Sequence, residues 1–213
     1  MKSFDQRNTS TANTFYADDG TEISDFTLMY AEDTYLYYDA TTELNARILN
    51  IPYKSYGNSK FVFTVILPND NVKLSDVESK LYELNQMKRI YKKLRHTYNI
   101  KLWLPKFKIE YESDLVTILE KLGVHDAFSD KADFSGINDE KNLSINKIKH
   151  KAFVEVNELG TEAAAATAVH MLTKSSPLVK FPPITFRCNR SFIYMIREHS
   201  SSITLFQGRF IKP

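Results

Sequence analysis

Cysteine is almost absent from this 213-residue chain: Cys188 is the only one. That excludes an internal disulfide framework and a thiolate metal cluster, and it leaves the redox compartment open. Glycine and proline are also sparse, at six and seven residues, and no repeat or low-complexity tract appears. No run approaches the roughly 18 apolar residues of a spanning helix. The first residues, "MKSFDQRNTSTANTFYADDG", lack the apolar core of a signal peptide. Read from Met1 the chain is not exported; a chain that starts partway through a longer protein would read the same. Neither sign of charge dominates, with 28 Lys and Arg against 26 Asp and Glu and a net charge of +2. Nucleic acid and an anionic membrane are therefore not expected as main partners. Nucleophile elbow, HExxH, phosphate-cradling glycine loop and CxxC are all missing, and the five histidines are scattered. We expect no catalytic apparatus, no metal site and no cofactor.

What is present is a succession of strands around a helical middle. Residues 26–38 are rich in Tyr and Thr and suit strands. Residues 48–53 and 61–67 read as buried strands joined by a turn at Gly57-Asn58. Leu74, Val77, Leu81 and Leu84 recur at helical spacing, with Ser75-Asp76 as a start signal. Met87, Ile90, Tyr91 and Leu94 continue into a second helix. "NIKLWLPKFKIEYE" alternates as a strand bent or interrupted at Pro105. Leu115, Ile118, Leu119 and Leu122, stopped by Gly123, make a short helix. "NLSINKIKHKAFVEVNE" reads as one long strand. "SFIYMI" and "ITLFQGRFI", joined by "REHSSS", read as a buried hairpin. The class is α+β with mainly antiparallel sheets, in a single domain over residues 1–213.

Two surface features stand out. Lys88, Arg89, Lys92, Lys93 and Arg95 form the one basic cluster. It is a candidate contact for a sulfated glycosaminoglycan, against the plainer reading of a solvated helix face. Asn8, Asn142 and Asn189 each begin a glycosylation acceptor triplet, which has meaning only in an exported chain.

The stretch "GTEAAAATAVHMLTKSS", residues 160–176, fits neither neighbour. Its four alanines favour a helix, yet no large apolar residue recurs to dock one. Small side chains on both faces suit an exposed loop without a large apolar patch. They equally suit a strand slipping between packed strands, because the segment brings little volume. Composition leaves linker, short helix and insertable strand open.

At these residues the chain resembles a known family. "HKAFVEVNELGTEAAAATAV" is similar to the hinge of the serpins, the serine-protease inhibitors. "ILNIPYKSYGNSKFVFTVILPND", "LWLPKFKIEYESDLVTILEKLGVHDAFSDKADFSGI" and "SFIYMIREHSSSITLFQGRFIKP" resemble serpin segments in serpin order. The resemblance implies a serpin fold with an exposed reactive loop at about residues 158–180. It implies suicide-substrate inhibition: a protease attacks the loop, and the cut loop inserts as a strand and traps the acyl-enzyme. Glu158 matches the acidic residue at the loop base and Lys106 its salt-bridge partner. Gly160, Thr161, Glu162, Ala163, Ala164, Ala165, Ala166 and Thr167 match the hinge. The scissile bond falls at Lys174-Ser175, which implies a trypsin-like target. His150 matches a structural histidine, and Gly208 and Pro213 match the closing pattern. An extracellular setting is the family expectation, with the cytoplasm as the alternative. The start of the chain resembles a point midway through a serpin, so the N-terminal half, including the strand on the far side of the insertion gap, is expected to be missing. A non-inhibitory member, or an inactive truncated one that serves as protease substrate or binding protein, is the rival expectation.

Overall fold

The computed structural model of the chain describes residues 4–53, 60–83, 85–137, 139, 142–158 and 182–213. Among these, ten strands carry the architecture: β1 (Ser10–Tyr16), β2 (Glu22–Ala40), β3 (Ala46–Pro52), β4 (Phe61–Pro68), β5 (Arg95–Pro105), β6 (Phe107–Asp114), β7 (Lys149–Val156), β8 (Ile184–Arg187), β9 (Phe192–Glu198) and β10 (Thr204–Phe210). Four short helices accompany them: α1 (Thr41–Leu44), α2 (Leu74–Leu81), α3 (Gln86–Tyr91) and α4 (Val116–Lys121). The chain divides into two compact units. One comprises Met1–Phe107 with Val156–Pro213, the other Lys108–Glu155.

The first unit is organised by an eight-stranded sheet in the order β10-β9-β4-β3-β2-β5-β8, with β1 paired to β2. Its pairings are antiparallel except β5 with β8, which is parallel. β4 is buried over nearly its whole length, the pattern of a strand covered on both faces. Successive side chains of β9 point to opposite faces. Ile193 and Met195 join Ile48, Ile66, Leu74, Val77 and Ile90 in a core under α2 and α3. Phe192 and Tyr194 face the other way, where Phe107 and Phe210 meet them with ring centroids 5.2–6.2 Å apart. Gly208 serves this second face: a Cβ there would fall 2.6 Å from Tyr194 Cζ, so the close approach of β10 to that ring requires glycine.

Three local readings change. Ser75-Asp76 does not start α2; the helix begins at Leu74, and its first N–H donates to Asp18 of the β1–β2 turn at 2.8 Å. A cap supplied from a distant turn leaves no local trace. The strand expected over residues 142–158 is confined to Lys149–Val156. The hairpin forms, but only β9 is buried. β10 is the edge strand, and Thr204, Leu205, Phe206 and Gln207 are exposed. Apolar composition alone does not distinguish an edge from a centre.

The second unit holds most of the β6–β7 sheet, α4 and a 3-10 turn at Asp126–Phe128. Gly123, at φ +95°, ends the α4 segment, and its N–H donates to Glu120 O, as a glycine after a helix C-terminus does.

Candidate functional site at the base of the loop

Pro105 ends β5, and Lys106 separates it from β6. β7 ends at Val156, two residues before Glu158. These two breaks place Lys106 Nζ 3.1 Å from Glu158 Oε2. The pair is asymmetric: the lysine side chain is 51% exposed and the glutamate side chain 9%. A carboxylate that deep needs several partners. The Thr9 hydroxyl donates to Oε1 at 3.4 Å. Burial alone would raise the Glu158 carboxyl; its own backbone N–H, Lys106 and Thr9 outweigh that and hold it below the ordinary glutamate value. The backbone is tied as well, because Phe4 N donates to Glu158 O at 2.8 Å. Phe4 is itself buried, and a 3-10 turn over Gln6–Asn8, capped by Asp5, carries the chain from Phe4 to Thr9. Sequence reasoning missed Phe4 and Thr9. They lie at the far end of the chain from Glu158, and no local periodicity links them.

Of the residues assigned to the hinge, Glu158 is described. Gly160, Thr161, Glu162, Ala163, Ala164, Ala165, Ala166 and Thr167 lie outside the described residues, as do Lys174 and Ser175. His150 is exposed on β7.

The basic cluster is divided by its neighbours. Lys93 ion-pairs with Glu43 and lies 5.4 Å over the Tyr38 ring. Arg89 bonds Gln86 and sits 3.8 Å from Glu83. Arg95 donates to the carbonyls of Lys92 and Leu94. Lys88 and Lys92 are exposed, and among the described residues neither side chain meets an acceptor. Of the three acceptor asparagines, Asn8 and Asn142 are exposed. Asn189 is half-buried beside Ser191, whose side chain is fully enclosed. Among the described residues no group of acidic, histidine or cysteine side chains could hold a metal, and no helix is long and apolar enough to cross a membrane.

A buried, ion-paired carboxylate just past the end of β7 and a large, mostly antiparallel sheet are the features the described residues offer for comparison. The family model for serpins (serine protease inhibitors) matches residues 1–213, and the chain belongs to that family. It is 40% identical to human Serpin B8 over 173 residues, 80% of this chain and 44% of that protein. To the antitrypsin of Bombyx mori it is 33% identical over 208 residues, 98% of this chain and 50% of that one. The structure of Serpin48 from Tenebrio molitor, described as a highly specific serpin, superposes with a TM-score of 0.76 at 31% identity. That match covers 100% of this chain and 52% of the other. Thyroxine-binding globulin in complex with thyroxine gives a TM-score of 0.78 at 28% identity, with 53% of that chain covered. The chain thus spans about half the length of the relatives it matches. At family level the activity is protease inhibition rather than enzymatic catalysis, in a fold that also includes that thyroxine binder.

Proposed function

We propose that the chain is the loop-bearing part of a suicide-substrate inhibitor of trypsin-like serine endopeptidases, acting outside the cell. The protease serine attacks the Lys174 carbonyl, the bond to Ser175 breaks, and Ser175 leaves with a free amine while Lys174 stays esterified to the enzyme. The cut loop then adds to a sheet as a new β-strand, the step by which serpins trap the ester. The observation that carries this reading is the tethering of Glu158. A buried, ion-paired carboxylate anchors the chain where it leaves β7, so insertion of Gly160 to Thr167 would proceed from a fixed base. Small side chains there could enter a sheet without displacing packed neighbours. The exposed pair Lys88 and Lys92 is the part of the basic cluster still open to a glycosaminoglycan.

The second reading is an inactive serpin that is cut without trapping. It is favoured by the β6–β7 sheet, which has two strands among the described residues. A loop strand added there alone would leave a row of backbone groups unpaired. Trypsin separates the readings. The 213-residue chain by itself should be cut at Lys174-Ser175 with no complex that survives hot detergent. The same chain joined behind the N-terminal half of Serpin B8 should form that complex. Cleavage of the fusion without trapping supports the second reading. Primary cleavage at Lys180 or Arg187 with Lys174 intact would overturn the scissile-bond assignment.

A further inference from the structure

The hold on Glu158 is carried by an exposed turn. Phe4 N donates to the Glu158 carbonyl at 2.8 Å and the Thr9 hydroxyl to its carboxylate at 3.4 Å. Between them Asp5, Gln6, Arg7 and Asn8 are all exposed. The turn is a short 3-10 helix, Gln6–Asn8, a geometry with poorer hydrogen bonds than an α-helix. Its local support is the Asp5 carboxylate, which accepts from Arg7 N at 3.0 Å and from the Arg7 guanidinium at 2.6 Å. The Arg7 side chain is 88% exposed, and an ion pair that open contributes little. Exposed polar turns are where proteases nick a folded chain. Arg7–Asn8 is therefore a bond of the kind a trypsin-like enzyme cuts. A cut there would part Phe4 from Thr9, the two holds on Glu158. A bait for such enzymes needs that bond covered.

The residue after Arg7 supplies the means. Asn8-Thr9-Ser10 is an N-glycosylation triplet. Asn8 is exposed on the turn, Thr9 is extended, and Ser10 is exposed at the start of β1. Asn142 is exposed as well, and in the sequence it follows Lys141. The third acceptor, Asn189, follows Cys188. It is half-buried, and its carbonyl accepts from Tyr16 N at 2.9 Å. The Ser191 hydroxyl of that triplet is enclosed and donates to Ile211 O at 3.3 Å. Lys and Arg make up only 28 of the 213 residues, so a basic residue ahead of both exposed acceptors is not what composition alone would give.

We propose that Asn8 carries an N-linked oligosaccharide that shields the Arg7–Asn8 bond from the proteases drawn to the loop. The donor is a lipid-linked pyrophosphate oligosaccharide. The Asn8 amide nitrogen bonds to the anomeric carbon of the sugar and loses one proton, the bond from that carbon to the pyrophosphate oxygen breaks, and the lipid pyrophosphate leaves. The sugar then stands on the residue just past the scissile position, where an enzyme surface would have to close over it. This rests on the reading of the chain as an exported bait for trypsin-like proteases.

The experiment expresses the 213-residue chain behind a cleavable signal peptide in cultured eukaryotic cells. Glycopeptides are mapped by mass spectrometry in both medium and cell extract, so that poor secretion does not hide the result. Asn8 should be occupied and Asn189 empty. The native glycoprotein is then digested briefly with trypsin, before and after enzymatic removal of the sugar. Removal should raise initial cleavage at Arg7–Asn8 about tenfold, because the steric block is lost. Cleavage at Lys174–Ser175 should stay within twofold. Ser10→Ala abolishes the triplet and leaves Arg7, Asn8 and Thr9 in place, so it should be cut at Arg7–Asn8 as fast as the deglycosylated protein. Urea denaturation of Ser10→Ala separates a folding defect from the loss of the shield. An empty Asn8, a sugar on Asn189, or less than twofold change at Arg7–Asn8 in both comparisons would overturn the proposal. Failure of the loop reading looks different: Lys174–Ser175 stays uncut, however Arg7–Asn8 behaves.

Discussion

Phe63 and Phe153 are both strand phenylalanines, in β4 and β7, and their surroundings could hardly differ more. Phe63 is fully enclosed and stacks on Tyr194 at 5.7 Å. Phe153 is 61% exposed, with the Lys108 ammonium 5.8 Å from its ring. The large sheet is built on apolar contact across both faces. The β6–β7 sheet carries cross-strand ion pairs on its outward face, such as Lys151 with Glu110 and Lys149 with Glu112. A two-stranded sheet is marginal in isolation, and exposed ion pairs add little. β7, which ends two residues before Glu158, thus belongs to a sheet with little apolar burial of its own among the described residues.

The largest expected effect that tests this contrast is a pair of truncations. Phe63→Ala should cost about 3–5 kcal/mol, since the cavity collapses only in part. Phe153→Ala should stay within about 0.5 kcal/mol. Urea midpoints of the two variants measure the difference, and similar losses would show that the β6–β7 sheet is as much a core as the large one.

Next comes Glu158→Gln, which removes the charge at the loop base and keeps the shape. We expect a loss of roughly 1 kcal/mol, limited because Lys106 is half exposed. The pH dependence sharpens it. The folded-state carboxyl lies below its ordinary value, so its stabilisation is complete above the unfolded value of about 4.3 and is lost as pH falls through the depressed folded value. Wild type and Glu158→Gln should therefore differ at pH 7 and converge in acid. Parallel stability curves down through that range would remove the ion pair as an anchor.

Arg197 offers a subtler test inside the large sheet. It is almost fully enclosed, with no carboxylate partner among the described residues; its Nε donates to Thr64 Oγ1 at 3.2 Å and its guanidinium stacks 3.5 Å over the Tyr91 ring. Replacing a buried charge by an apolar side chain of similar length tends to be neutral or stabilising. Arg197→Met should change stability by less than about 1 kcal/mol, in either direction. A loss above about 3 kcal/mol in thermal unfolding would mean that the guanidinium organises that core. Smallest of all is the coupling between Lys149 and Glu112, 3.6 Å apart and both more than half exposed. A double-mutant cycle should give no more than about 0.5 kcal/mol, falling further in high salt.

Much of this was legible in the residues themselves. Family resemblance supplied the α+β serpin class and the pairing of Lys106 with Glu158. Apolar runs announced β3, β4 and β9, alternation announced β5, helical spacing announced α2, α3 and α4, and Pro105 marked the break between β5 and β6. Those features are written in neighbouring residues, because side-chain period and backbone propensity act over a few positions. Other features belong to the tertiary structure alone. The cap of α2 by Asp18 and the hold of Phe4 and Thr9 on Glu158 each join residues far apart in the chain, and the place of β10 at the sheet edge follows from the strand order. A hydrogen bond or ring contact between distant segments is set by sheet order and register, and neither leaves a period in the sequence that could reveal it.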